Sequence, residues 1–348
     1  MKHKQSCIML FTIRLCLEGL LAVCLVAAWG FHETVPAGDS PVNTPGVMGL
    51  VGEDAIRDSA GRVVCTKKPF TRIISLYSAH TENLFFLGLS DEIIGVSRID
   101  ASMAKAAGKK TFSPQNSPER FIAAAPDLVI VRPMLDHGYP RLMEQLDRFG
   151  IQVVSLQPAD VDEMLIYWRI LGRLSGREAR GVGMGCRFKI GVAEARHIAE
   201  AVPSRKTVYF EAIHNRFKTF SPGSMPIFAL ETAGGINGAE DARPSRGSNI
   251  ANFGKEPLLA RGEEIDVYLA QDGHMNRPSI KAIMNVPGYT VIRAVREGNI
   301  FLVDEEIVSR PTPRLLEGIA AIGGILYPEQ FTENANKRIL RHGPNQDH

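Results

Sequence analysis

The sequence has little net charge and little cysteine, and both scarcities narrow what the chain does. Forty Lys and Arg face 38 Asp and Glu over 348 residues, a formal charge of +2. Nothing in that balance points to nucleic acid or to an anionic membrane surface. Of the five cysteines, Cys7, Cys16 and Cys24 fall within the first 37 residues, and only Cys65 and Cys186 follow. Two cysteines so far apart have no metal-binding spacing, and a chain of this length folds without a disulfide.

Catalytic signatures are missing as well. There is no HExxH, no CxxC and no Asp/Glu/His triplet at short spacing, so no direct metal centre is expected. Without GxxxxGK[ST] the chain does not itself hydrolyse ATP. Without GxSxG, Ser224 in SPGSMP lacks a nucleophile elbow, and GVGMG at 181–185 lies inside a helical pattern. The carboxylate–histidine pairs that proton chemistry needs, His137 with Glu144 and Glu211 with His214, are weak candidates. Glu211 and His214 stand three apart at a strand-to-loop junction, a spacing expected to keep their side chains apart. The chain reads as non-enzymatic.

What is present is a globular composition, 45% hydrophobic and 22% charged, long enough for two domains. Lys2, Lys4 and Arg14 lead into the apolar run LCLEGLLAVCLVAAWGF, the pattern of an export signal over 1–37. Cleavage after Gly30 or Ala37 satisfies the small-residue rule. Cys24 in LAVC is a poor lipidation point, because Val23 stands where a small residue is wanted, and a retained anchor is the alternative. Residues 38–60, rich in Gly, Pro and polar side chains, read as a tether.

From residue 61 short apolar runs alternate with helical patterns. Strands are expected at 72–76, 93–96, 127–131 and 151–156, with helices at 80–89, 118–125 and 139–149 between them. DLVIV and IQVVSL lack strict alternation, as parallel strands covered on both faces do. A second α/β set has strands at 207–211, 265–271, 289–292 and 299–303, and helices at 226–233, 255–261, 278–285 and 313–325. The expected organisation is therefore a first α/β lobe at 61–160, a helical connection at 161–203, a second lobe at 204–330 and a polar tail at 331–348. The connection reads as a helix at 161–174, a break at Ser175-Gly176 and a long helix to about Ala201. Gly181, Gly183, Gly185 and Gly191 each cost roughly 1 kcal/mol there, which close packing against another backbone would explain.

In this order the motifs resemble the periplasmic substrate-binding proteins of ABC importers for iron chelates, haem and vitamin B12. The likeness is carried by GRVVCTKKPFTRIISLYSAHTENLFFLGLSDEIIGVSR, SPERFIAAAPDLVIV, FKTFSPGSMPIFALETAGGIN, GKEPLLARGEEIDVYLAQ and SRPTPRLLEGIAAI, and it covers most of 61–328. It implies two doubly wound α/β lobes joined by a long rigid interlobe helix, the class III periplasmic binding protein fold. It also implies a function: an exported, periplasmic or extracytoplasmic monomer captures a ferric siderophore, haem or corrinoid. The chelate then passes to an ABC permease dimer with its ATPase subunits. No intrinsic cofactor is implied, since the iron or cobalt belongs to the ligand. Glu119 in SPERF and Glu256 in GKEPL match the family's permease-docking glutamates, one at the tip of each lobe.

The resemblance further implies a cleft lined by the strand-end turns of both lobes. Those turns carry Tyr77, Ser78, His80, Arg98, Phe112, Arg132 and His137, then His214, Phe217, His274 and Arg310. Arginine offers a fixed fork to carboxylate or phosphate oxygens, and aromatic faces suit a bulky organic ligand. His80 or His214 would be an axial ligand to the chelated metal. The histidines would also serve a free metal ion, and an exported tetrapyrrole chelatase is a further alternative.

Overall fold

A computed structural model of the chain describes residues 48–245 and 248–343. The export signal, its cleavage points and Cys24 lie outside the described residues.

The first described element is a small antiparallel sheet of β1 (Gly49–Val51), β2 (Ala55–Arg57) and β3 (Val63–Cys65). The tether expected at 38–60 is corrected from residue 49 onward. Three-residue strands around tight turns leave no apolar run to read, yet Ile56 is fully buried. Just beyond β2, the buried Asp58 carboxylate accepts from the backbone N–H groups of Ala60, Arg62 and Ser155. Arg62 bridges Asp58 to Asp136, fastening this sheet to the first lobe.

That lobe runs β4 (Ile73–Ser75), α1 (Ser78–Phe86), β5 (Ile93–Ser97), β6 (Lys110–Phe112), α2 (Pro118–Ile122) and β7 (Leu128–Val131). It continues through α3 (Pro133–Gly138), α4 (Pro140–Arg148) and β8 (Gln152–Ser155). Its strands lie in the order β6-β5-β4-β7-β8, all parallel. Every residue of β4 and β7 is buried, which is why these runs do not alternate. The chain winds outward from β4 to β6, then crosses back to β7, so the winding reverses between β4 and β7.

Two helices follow, α5 (Val161–Leu174) and α6 (Glu178–Glu200). Asp160 caps α5 by accepting from the Glu163 N–H at 2.9 Å, while the Glu163 carboxylate accepts from the Ala159 N–H. Close packing accounts for two of the four α6 glycines. A Cβ on Gly181 would lie 2.5 Å from the Trp168 carbonyl oxygen, and one on Gly191 2.7 Å from the Leu316 side chain. Gly183 and Gly185 meet no such crowding.

The second lobe holds β9 (Thr207–Ile213), β10 (Lys218–Phe220), α7 (Met225–Thr232), β11 (Ile236–Asn237), β12 (Arg243–Pro244), β13 (Ile250–Asn252) and α8 (Lys255–Ala260). Then come β14 (Val267–Asp272), α9 (Ile280–Met284), β15 (Ile300–Asp304), α10 (Glu305–Val308), α11 (Leu315–Leu326) and α12 (Glu333–Leu340). The strand order is β12-β13-β10-β9-β14-β15, with β11 also on β9. β9, β14 and β15 are parallel, whereas β10, β13 and β12 form antiparallel pairs. Two expectations are corrected here. Residues 289–291 form a short 3-10 turn rather than a strand, and Tyr289 is apolar context for core burial, not for pairing. In the expected polar tail, α12 buries Ala335 and Ile339, and its Arg338 reaches Glu194 of α6 at 2.8 Å.

One apolar core runs through both lobes. It joins Ile73, Leu84 and Ile130 to Tyr167, Trp168 and Phe188 and onward to Phe210, Leu230 and Leu316. A connection buried on this scale gives the lobes a stiff mutual geometry.

Candidate functional site

Ligands of wound α/β sheets sit beyond the carboxyl ends of the strands where the winding reverses. In the first lobe that place is between β4 and β7, and Tyr77 and Arg132 are the residues found there. Tyr77, two residues past β4, holds an extended backbone (φ −148°, ψ 132°) before α1. Arg132 follows the last residue of β7 and precedes Pro133, the first residue of α3. Its guanidinium carbon stands 5.0 Å from the Tyr77 ring centroid, within cation–π range. Burial pushes the Tyr77 phenol up, and the charges of Arg132 and Arg310 oppose that shift. Among the described residues neither Arg132 nor Arg98, exposed just after β5, is paired with a carboxylate.

Where the lobes meet, Glu82 of α1 pairs with Arg310, which also holds Glu306 at 2.8 Å; Arg314 reaches Glu306 at 3.1 Å. Burial pushes the Glu82 carboxyl up, and Arg310 pulls it back. Beside this pair, Asn83 and Trp168 donate to the carbonyl oxygen of Pro311 at 3.0 and 3.1 Å. His80 completes the network from within. The Val131 carbonyl oxygen, 3.1 Å away, only accepts, so Nε2 carries the hydrogen and Nδ1 accepts from Tyr167 Oη at 2.6 Å.

In the second lobe the carboxyl end of β9 breaks into a 3-10 turn, His214–Arg216, closed by Phe217 in the left-handed region (φ 50°). This reversal lays the His214 ring over Glu211, Nδ1 to Oε2 at 2.8 Å. The expectation that their spacing keeps them apart is therefore corrected: a strand would separate them, and a turn does not. Tyr268 Oη and Asn276 Nδ2 also donate to Glu211, at 2.5 and 3.3 Å. The bond to Glu211 raises the His214 imidazole above its ordinary value, against the effect of burial. Met275, just before Asn276 in the same loop, donates its N–H to the Glu305 carboxylate at 3.0 Å. Across the lobes, the Glu82–Arg310 pair joins the helix that follows β4 to the second lobe.

A family model described as periplasmic binding protein matches residues 73–307. The chain belongs to that family. An uncharacterised ABC transporter substrate-binding lipoprotein of Bacillus subtilis is 24% identical over 284 residues, covering 80% of this chain and 87% of the relative. A cobalamin-binding protein of Halobacterium salinarum is 23% identical over 331 residues, covering 89% and 85%. Among solved structures, a possible iron-binding (periplasmic solute-binding) protein of Staphylococcus epidermidis superposes with a TM-score of 0.66. It is 26% identical and covers 75% of this chain and 100% of its own.

In this periplasmic binding protein the residues expected at the cleft divide into two groups. Tyr77 and Arg132 stack at the winding reversal, Arg310 pairs with Glu82 across the lobes, His214 lies over Glu211 at the end of β9, and His274 is exposed in the loop after β14. His137 is exposed in the last turn of α3. His80 is a correction: it is fully buried, both ring nitrogens are bonded internally, and its pKa is pushed down to about 3, chiefly by burial. Phe112 is another, being 3% exposed and packed on Phe121 at 5.0 Å between ring centroids. Phe217 packs against the second-lobe core, and the Ser78 hydroxyl is consumed by buried Asp100. The other Asp100 oxygen accepts from the Thr81 hydroxyl at 2.8 Å.

Glu82, Asn83 and Asn276 were not expected. The signal for the first two was the polar stretch SAHTEN at the head of a helix that is buried from Ser78 to Phe85. Glu119 and Glu256 are both exposed in the first turn of short helices, α2 and α8. The Glu119 backbone N–H and the Ser117 hydroxyl hold the Glu119 carboxyl below its usual range.

Proposed function

We propose that this chain is the solute-binding component of an ABC importer that captures a metal–organic chelate, a ferric siderophore, haem or corrinoid, and delivers it to a permease. The observation that carries the reading is the Tyr77–Arg132 pair at the winding reversal. An arginine stacked on an aromatic face, with no carboxylate to neutralise it, offers charge to an anionic group and a flat surface to an organic ring system. The names of the Halobacterium and Staphylococcus relatives, cobalamin-binding and possible iron-binding, support that class of cargo. The metal arrives and leaves with the cargo, so no resident cofactor is invoked. The continuous core favours a preformed site, which loses less ordering entropy on binding.

Export places the protein outside the cytoplasm, as a monomer that meets a permease dimer and its ATPase subunits. The lipoprotein relative makes Cys24 the residue to test for a lipid tether. The Glu211–His214 pair is the one feature that favours an enzyme, a chelatase taking protons from a tetrapyrrole.

A thermal-shift panel of ferric siderophores, haem, corrinoids and free divalent metals tests these readings together. A ligand at 100 times its Kd adds about 2.7 kcal/mol, a readily measured rise in Tm. A shift with a chelate alone is the expected result. Shifts only with free metal would replace this reading by a cation carrier, and turnover of metal plus empty tetrapyrrole to product would replace it by the chelatase.

A further inference from the structure

We propose that α1 and the segment 310–314 form a parting seam between the lobes, and that Glu82 is the strap that holds the seam shut. The proposal rests on the carrier reading above and adds how the carrier lets its cargo go.

The bonds across this seam are arranged so that nearly every partner keeps a second bond when the first breaks. Arg310 can release Glu82 and still hold Glu306 at 2.8 Å. Arg314, 4.0 Å from Glu82, keeps Glu306 and Glu317 at 3.1 and 3.2 Å. The Pro311 carbonyl oxygen loses Asn83 and keeps the indole N–H of Trp168. Asn83 in turn keeps the Tyr167 hydroxyl at 3.3 Å. Glu82 alone is left without a partner. Its Oε1 is bonded to Arg310, and its Oε2 is buried with no protein donor among the described residues.

Breaking a buried ion pair ordinarily leaves a charge uncompensated on each side, which is costly. Here parting strands a single carboxylate, 7% exposed in the closed form, and water entering the seam hydrates it. The apolar core through Tyr167, Trp168 and Phe188 resists a wide swing, so the movement is a small tilt of α1 away from 310–314. Tyr77 directly precedes α1 and stacks on Arg132, so the tilt displaces a member of the candidate site. One side chain thereby links lobe separation to the hold on the cargo.

The first test needs no cargo. Spin labels at positions 119 and 256, one on each lobe, report lobe separation by pulsed electron paramagnetic resonance. Cys65 and Cys186, both exposed, are replaced by serine. A bond to a charged group is worth roughly 10–100-fold in an equilibrium, so an open form of about 1% in the wild type should rise to about 10–50% in Glu82→Gln. The longer distance should appear in protein that still melts cooperatively. Arg310→Gln strands the Glu82 carboxylate and should open the seam further. The double variant, in which two amides meet, should close it again relative to Arg310→Gln. Should Glu82→Gln not fold, Asn83→Ala reads the same seam through its other tie. The second test uses ferric haem or aquocobalamin, whichever the wild type binds. Glu82→Gln should release it about 10–100-fold faster.

An unchanged distance in both Glu82→Gln and Arg310→Gln, with a lowered Tm, would overturn the proposal, because the pair would then only stabilise the fold. Opening without faster release would overturn the link to cargo. If the wild type binds neither chelate, the proposed function is what falls, and the cargo-free distances still decide whether the seam parts.

Discussion

Trp168 donates its indole N–H to the carbonyl oxygen of Pro311 at 3.1 Å, and so ties the interlobe helix α5 to the second lobe. Asn83 of the first lobe donates to the same oxygen at 3.0 Å. A single carbonyl therefore joins three parts of the chain. Trp168→Phe and Asn83→Ala each leave it one donor, and the double variant leaves it none. An orphaned buried carbonyl costs about 1–3 kcal/mol beyond the sum of the single losses. Urea midpoints of the three variants should show that excess; simple additivity would mean that the shared oxygen does not couple the lobes.

Arg132 and Phe112 were both candidates for the cleft, and the structure gives them opposite predictions. Arg132 is half-buried, stacked on Tyr77 and free of carboxylates, so Arg132→Gln should leave Tm nearly unchanged. It should weaken an anionic chelate by about 1.5–3 kcal/mol, the usual worth of a hydrogen bond to a charged group. Phe112 is core, so Phe112→Ala should cost about 3–5 kcal/mol of stability and no affinity in the fraction that folds. Calorimetric titration beside thermal melts separates the two outcomes.

Much of this contrast was out of reach of the sequence. The βα alternation, the helix over 161–174 and the long α6 were legible, because each is a local pattern of period or breaker residues. β1, β2, β12 and β13 were not, since strands of two or three residues are set by their partners. At the candidate site the sequence located the turns after the strands, yet not which side chains leave them. His80 and Ser78 open the same helix that Tyr77 precedes, and only the packing of α1 under β4 and β7 turns them inward. The Glu211–His214 contact was missed for a related reason: a 3-10 turn and a strand end place residues three apart quite differently, and HNRF does not announce which will form.

Glu119 and Glu256 stand exposed at the first turns of α2 and α8, one on each lobe. If they are the handles by which a permease grips the protein, charge there matters to delivery and not to capture. Glu119→Ala with Glu256→Ala should keep the chelate Kd within about twofold, since exposed substitutions rarely exceed 0.5 kcal/mol. Uptake in reconstituted membranes should fall to background. A loss of affinity in the double variant would move these residues from docking to the ligand site.

His80 makes the fold sensitive to acid in a direction that its burial dictates. Its pKa is 6.5 in an ordinary setting and about 3 in the folded chain, where burial disfavours the charged ring. Between those values the unfolded chain binds the extra proton and the folded chain does not, so stability falls as pH drops below 6.5. One unit is worth about 1.4 kcal/mol, which makes the loss by pH 5 roughly 2 kcal/mol. His214 acts in the opposite sense, because its raised pKa gives a stabilisation that is complete at low pH and fades as pH rises through the folded value. His214 therefore cannot be the source of an acid loss. His80→Gln should be less stable than the wild type at pH 7, having an imperfect fit to Tyr167 and Val131. It should nevertheless lose about 2 kcal/mol less than the wild type between pH 7 and 5. Parallel pH profiles in urea would mean that the ring gains its proton inside the folded protein, and that the buried network around Tyr167 opens more easily than its hydrogen bonds suggest.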